Sequence, residues 1–176
     1  EERLITAGDD STAKIWSFDG EEIKVLRGHQ GPVYSAVYSP TGTLIATASQ
    51  DGSIRLWGKD GRFIREMTGH DGEVYSVRFS PDGEILASAG EDSTIKLWQL
   101  DGTPITTLVG HTASVSDIDF SKDGQQLVST SEDGQVLVWD IAELTSLEAL
   151  MNEGCDLLGE FVSQNSEDFQ ELCTSQ

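Results

Sequence analysis

The chain has 176 residues, 37% of them hydrophobic, and no stretch of it approaches the roughly 18 consecutive apolar residues of a membrane-spanning helix. Eleven Lys and Arg stand against 31 Asp and Glu, a formal charge of −20. That balance disfavours nucleic-acid backbones and anionic membranes, both of which are bound by neutralising phosphates, so the expected partners are proteins, those with a basic surface foremost.

Taken in chain order, Leu4-Ile5-Thr6 reads as a first strand, followed by a turn at Asp10-Ser11, a second strand ending at Trp16 and a turn at Asp19-Gly20. Gly28-His29 then opens a unit that recurs. Gly69-His70 and Gly110-His111 follow at a spacing of 41 residues, as do Trp57, Trp98 and Trp139 after Trp16. Within each unit, runs such as Ile54-Arg55-Leu56 and Ile95-Lys96-Leu97 alternate apolar and polar residues at period two, which argues half-buried strands. Turn signals punctuate the runs: Thr41-Gly42, Asp82-Gly83 and Asp123-Gly124; Asp51-Gly52, Asp92-Ser93 and Asp133-Gly134; Asp60-Gly61 and Asp101-Gly102. Each supplies a residue that accepts the positive φ of a tight hairpin. At 142–143 the Asp-Gly turn is replaced by Ala142-Glu143, and the array ends.

A period of about 40–45 residues with Gly-His near one end and Trp near the other is that of a four-stranded propeller blade. The chain resembles the WD-repeat β-propeller family over residues 3–140, without insertion or deletion between repeats. The expected fold is therefore all-β: about three and a half to four blades of a larger ring, with a short α-helical tail. The expected division is residues 1–140 for the blades (a partial blade 1–27, then 28–68, 69–109 and 110–140) and 141–176 for the tail. Counted in the family's strand order, innermost a to outermost d, the first blade begins at strand b and the last stops at strand c. The resemblance implies a chain that is the carboxy-terminal half of a longer propeller, needing further blades from upstream sequence or another chain to close. On this reading it is not a stable monomer alone. Pairing of two copies into an eight-bladed ring is the rival arrangement.

All three histidines fall in one constellation. Each is followed after 18 residues by a hydroxyl (Thr47, Ser88, Ser129), four further on by an Asp (Asp51, Asp92, Asp133) and six further on by a Trp (Trp57, Trp98, Trp139). This resembles the family's structural tetrad, a hydrogen-bonded chain tying strands b and c to the loop ahead of strand a. Thr6, Asp10 and Trp16 supply three members in the first blade, whose His would lie upstream. Ser, His and Asp are also the residue types of a hydrolase triad. Recurrence once per repeat, each time with a Trp, favours architecture, so His29, His70 and His111 are not expected to be catalytic. No glycine-rich phosphate loop and no metal-spaced Cys/His cluster is present, and no cofactor or metal is expected.

The family's usual binding face carries over to Pro32, Tyr34 and Gln50, to Glu73, Tyr75 and Glu91, to Ser114, Ser116 and Glu132, and to Asp9. Tyr34 and Tyr75 stand out, because tyrosine offers large contact area at low entropic cost. Alternatively, both tyrosines only pack between neighbouring blades.

From Ile141 the pattern changes. Leu144, Leu147, Leu150 and Met151 recur at helical spacing, then Leu157, Leu158, Phe161 and Val162, then Phe169, Leu172 and Cys173. These read as short amphipathic helices, broken at Gly154 and capped at Ser166, without a Lys or Arg after Lys122. Residues 147–158, with Leu172-Cys173, resemble the closing segment of large multidomain WD-repeat proteins of filamentous cyanobacteria, which join an effector domain and a signal-transduction NTPase to a sensor propeller. Such tails carry an aromatic where Leu157 stands and a basic residue where Gly159 stands. Cys155 and Cys173 align with cysteines there, and in a cytosolic chain are read as thiols rather than a disulfide. The function expected is a cytoplasmic, non-enzymatic interaction scaffold or sensor of bacterial signalling or defence. The alternatives are an architectural subunit and the regulatory part of an enzyme whose catalytic domain lies upstream.

Overall fold

A computed structural model describes residues 3–145. Residues 3–140 belong to one unit, all of it antiparallel sheet. The expected tail helices beyond Thr145, with Cys155 and Cys173, lie outside the described residues; the described part of the second unit is Ile141 and one short helix, α1 (Ala142–Thr145).

Among the described residues, fourteen strands form four sheets. The first holds β1 (Arg3–Ala7), β2 (Thr12–Ser17) and β3 (Glu22–Arg27). The second holds β4 (Val33–Tyr38), β5 (Leu44–Ser49), β6 (Ser53–Gly58) and β7 (Phe63–Thr68). The third holds β8 (Val74–Phe79), β9 (Ile85–Gly90), β10 (Thr94–Gln99) and β11 (Pro104–Val109), and the fourth β12 (Val115–Phe120), β13 (Gln126–Ser131) and β14 (Val136–Asp140). Strands follow one another in chain order within every sheet, so each is a meander closed by hairpins.

Alternation fixes which side chains go inside. On β6 and β10, Ile54, Leu56, Ile95 and Leu97 are at most 2% exposed, and each contributes about 1.5–3 kcal/mol by leaving water. One cluster joins the second and third sheets through Ala46, Leu56, Val74, Val77, Leu86 and Trp98. Another joins the first and second through Ala13, Ile15, Leu26, Val33, Ile45 and Trp57. The hairpins between the second and third strands of each blade need positive φ. Gly52 and Gly134 supply it freely at 81° and 80°, whereas Ser11 and Ser93 are held there at 63° and 64° against the clash of their Cβ.

Two irregularities recur at equivalent places. Where the innermost strand pairs with its neighbour, Val33 faces Ser49 and Ser35 faces Ala48, so Tyr34 is squeezed out of the ladder. The same bulge falls at Tyr75, between Val74 and Ser76, and at Ser116, between Val115 and Asp117. A second shift sits beside each of Trp16, Trp57 and Trp98, where their strands pair with the outermost ones.

The end sheets differ from the middle two. Among the described residues β1 pairs only with β2, and β14 only with β13, which leaves Leu4, Val136 and Val138 exposed on open strands. Three-stranded sheets at both ends fit an incomplete propeller.

Candidate functional site

The histidine constellations come together as continuous chains of hydrogen bonds. In the second sheet the Trp57 indole N–H donates to Thr47 Oγ1 at 3.0 Å, the Thr47 hydroxyl lies 2.8 Å from His29 Nε2, and His29 Nδ1 lies 3.0 Å from Asp51. The third sheet repeats it, with Trp98 to Ser88 at 2.8 Å, Ser88 to His70 at 2.7 Å and His70 to Asp92 at 3.0 Å. So does the fourth, with Trp139, Ser129, His111 and Asp133 linked at 2.9, 2.7 and 2.8 Å. An ionised carboxylate can only accept, so each imidazole carries its hydrogen on Nδ1, and Nε2 accepts from the hydroxyl, which in turn accepts from the indole.

Burial pushes the imidazoles of His29 and His70 below the usual histidine range, against the pull of Asp51 and Asp92. Burial would by itself raise the Asp51 carboxyl. The hydroxyl and backbone N–H of Ser53, the N–H of Gln30 and His29 outweigh it and hold the group at about 2. The N–H groups of Thr112 and Gln135, with His111, hold Asp133 at about 2 as well. These charge states match the hydrogen bonds of the chain, with a neutral imidazole beside an ionised carboxylate. Thr47, Ser88 and Ser129 are fully buried, and each hydroxyl already has a donor and an acceptor, so none can reach a substrate carbonyl.

Thr6, Asp10 and Trp16 form only part of this chain. Trp16 donates to Thr6 Oγ1 at 2.9 Å, and Asp10 Oδ1 accepts from Thr12 N–H and Oγ1 at 3.1 and 2.6 Å. In place of an imidazole, Lys14 Nζ lies 3.2 Å from Asp10 Oδ2. A cleft of about 330 Å³ opens beside them, lined also by Asp9.

Of the rim residues, Tyr34, Gln50, Glu73, Tyr75 and Glu91 are drawn into one patch. The two tyrosine rings lie 5.5 Å apart, tilted by 49°, within the favourable range for aromatic pairs. Tyr34 donates to Glu73 Oε2 at 2.8 Å, and the Gln50 amide donates to both Tyr34 Oη and Glu73 Oε1. Glu91 accepts from Glu73 N–H at 3.2 Å. The Tyr75 hydroxyl makes no hydrogen bond among the described residues. Burial, then Glu73, Glu91 and Glu132, push its hydroxyl above the usual tyrosine range, as the hydrogen bond to Glu73 does for Tyr34.

The other rim positions behave differently. Pro32 lends its carbonyl to Gln50 N–H, and Ser114 lends its own to Glu132 N–H. Ser116 turns its hydroxyl to Thr130, and Asp9 faces the cleft of the first sheet.

Three features escaped the sequence reading. The hydroxyls of Ser53 and Thr94 donate to Asp51 and Asp92, as Thr12 does to Asp10; the Asp-x-Ser/Thr spacing was the available signal. The bulges that eject the tyrosines leave no mark in a pattern of alternating residues. Arg78 pairs with Asp117 at 3.0 Å and, with Ser76 on the same carboxylate, links the third and fourth sheets. Positions 35, 76 and 117 align at the repeat period, but Ser, Ser and Asp gave no reason to pair them. Among the described residues no group of His, Cys, Asp and Glu is placed to hold a metal ion, and no helix is long and apolar enough to cross a membrane.

Comparison with known proteins agrees with the blades. Residues 20–58, 61–99 and 102–140 match the model of the WD domain, G-beta repeat. A stretch of 44 residues is 43% identical to the human WD repeat and SOCS box-containing protein 1, covering 24% of this chain and 10% of that protein. The zebrafish (Danio rerio) and Xenopus tropicalis proteins of the same name are 41% identical over 44 residues. The matched stretch is again 24% of this chain and spans about a tenth of those relatives. Repeats of this kind are protein-interaction modules and generally not catalytic. With three consecutive repeats matched over well over half its length, the chain belongs to the WD domain, G-beta repeat family.

Proposed function

We propose that the chain is a non-enzymatic scaffold that docks a protein through the aromatic patch at Tyr34 and Tyr75, and that the docked surface is basic. The observation that carries this is the contact between the two tyrosines that stand at two of the three recurring bulges. Each of these two takes a tyrosine out of the sheet ladder at an equivalent place in adjacent blades, and the two rings meet at 5.5 Å. A bulge re-aims a side chain at the cost of a ladder bond. Tyr34 is braced by Gln50 and Glu73, whereas the Tyr75 hydroxyl is left among three carboxylates, where a Lys or Arg side chain would satisfy it. The tail resemblance extends the proposal to a cytoplasmic sensor propeller of a bacterial signalling or defence protein. The open strands β1 and β14 favour a second reading, that of a building block within a larger assembly.

The test is comparative capture. A partner taken up by the wild-type chain should be weakened by at least about 1 kcal/mol in Tyr75→Ala. Glu73→Lys should slow its association, and Glu84→Lys, in the turn between β8 and β9, should bind normally. Loss of binding in Glu84→Lys together with normal binding in folded Tyr75→Ala would remove the rim from consideration.

A further inference from the structure

The sheet ladder cannot hold the two rim tyrosines, because each stands at a bulge where its own strand leaves the pairing. Tyr34 is braced by Gln50 and Glu73, but the Tyr75 hydroxyl has no hydrogen-bond partner among the described residues. The backbone beside each tyrosine therefore decides where its ring stands. The residue after each bulge is Ser35 on β4, Ser76 on β8 and Asp117 on β12, one repeat period apart. Ser35 and Ser76 are 9% and 2% exposed, so their hydroxyls must find partners within the protein.

They find them across the sheet boundaries. Ser76 donates to Asp117 Oδ1 at 2.7 Å, and Ser35 Oγ accepts from Val77 N–H at 3.4 Å. Arg78 joins these two contacts. One guanidinium nitrogen donates to Ser35 Oγ at 3.4 Å and to the Val77 carbonyl at 3.0 Å, and the other donates to Asp117 Oδ1 at 3.0 Å. A guanidinium is planar and its donors point in fixed directions, so it sets the spacing of the acceptors it holds. One side chain of the third sheet thus ties down the residue beside Tyr34 and the carboxylate that anchors the residue beside Tyr75. Its counterparts at the repeat period, Val37 and Asp119, carry no such fork. The Arg78 and Asp117 side chains remain 29% and 59% exposed, so water screens the pair and its weight in stability is small. What it controls is position.

We propose that Arg78 is a positioning residue of the rim: it holds the bulges of β4, β8 and β12 at a fixed spacing, and so keeps the Tyr34 and Tyr75 rings in contact before any partner arrives. This role rests on the reading of those tyrosines as the docking patch. A patch ordered in advance avoids the entropy of fixing two side chains on binding, which favours a partner whose surface meets adjacent blades at that spacing.

The test uses the 176-residue chain without a partner and follows the nuclear Overhauser cross-peaks between the Tyr34 and Tyr75 rings, whose centroids lie 5.5 Å apart. Arg78→Met, which keeps the aliphatic stem and removes the fork, should lose those cross-peaks. Glu66→Gln, which removes the charge facing Arg55 on the outer strand of the second sheet, should keep them. Ser35→Ala takes away only the second-sheet end of the clamp and should weaken them. Unchanged cross-peaks in Arg78→Met or, if that chain does not fold, in Ser35→Ala would overturn the proposal. So would their loss in Glu66→Gln, because a general loosening would then govern the rings. Failure of the docking reading is told apart from either outcome: a partner bound normally by folded Tyr75→Ala removes the patch as a docking site and leaves the cross-peaks of the free chain as they are.

Discussion

The first and third sheets are built from nearly the same residues, yet one is closed and the other open. In the third, Ser88 is fully buried, Trp98 is 2% exposed, and the chain from indole to carboxylate is complete. In the first, Thr6 is exposed, Trp16 is half-buried, and the chain stops at Thr6. The same hydroxyl-to-indole bond is therefore sealed in one blade and open to water in the other. What a tetrad contributes depends on the strand that covers it, since a hydrogen bond whose partners water can replace is worth little and one whose partners are sealed in is costly to break.

Removing the hydroxyl in each sheet gives the largest expected contrast. Ser88→Ala leaves the His70 ring nitrogen and the Trp98 N–H buried without partners and should cost roughly 2–4 kcal/mol, whereas Thr6→Ala should cost less than about 1 kcal/mol. Urea unfolding of the two variants checks this, and equal midpoints would dissolve the contrast.

Acid should act next, and only through the closed blades in its first stage. The folded-state pKa values of His29 and His70 lie below the 6.5 of the free side chain, so the unfolded chain binds protons first and stability falls as pH drops below about 6.5. Asp51 and Asp133, at about 2 against an ordinary 3.8, add a second loss between about pH 4 and pH 2. The first sheet has no histidine and takes no part in the upper window. Unfolding midpoints measured from pH 7.5 down to 3 should fall in both windows; a midpoint flat between pH 7 and 5 contradicts the histidine assignment.

The smallest effect sharpens the comparison from the turns. Ser11 and Ser93 hold the same positive φ that Gly52 and Gly134 adopt without strain. Ser93→Gly should raise stability by about 0.5–1 kcal/mol, and Ser11→Gly, in a sheet with one strand fewer, should raise it no more. A loss of stability in Ser93→Gly would show that the Ser93 side chain matters more than its backbone.

The blades were legible in the sequence because their signals are local. Trp at a fixed period, an Asp-Gly, Asp-Ser or Thr-Gly turn at each hairpin and two-residue alternation each depend on a few adjacent residues. The tetrads were legible for a related reason: four residue types at spacings of 18, 4 and 6 align wherever the hairpins keep their length. The patch was read only as a set of positions. That Tyr34 and Tyr75 meet follows from two bulges and from the packing of one sheet on the next, and neither leaves a trace in alternation. Lys14 was illegible for a different reason: Lys and Arg recur at its position, yet Arg55 pairs with Glu66 and Lys96 reaches Thr107, whereas Lys14 turns to Asp10.

Hydrogen exchange of the tryptophan indole N–H groups, followed by nuclear magnetic resonance, tests directly whether the covering strand is what seals a tetrad. The account predicts slow exchange at Trp57 and Trp98, whose hydrogen-bonded N–H groups are buried, and fast exchange at Trp16, whose bond to Thr6 is equally short but uncovered. Protection of Trp16 matching that of Trp98 would contradict it, because the first sheet would then be sealed although, among the described residues, no strand pairs with the open edge of β1.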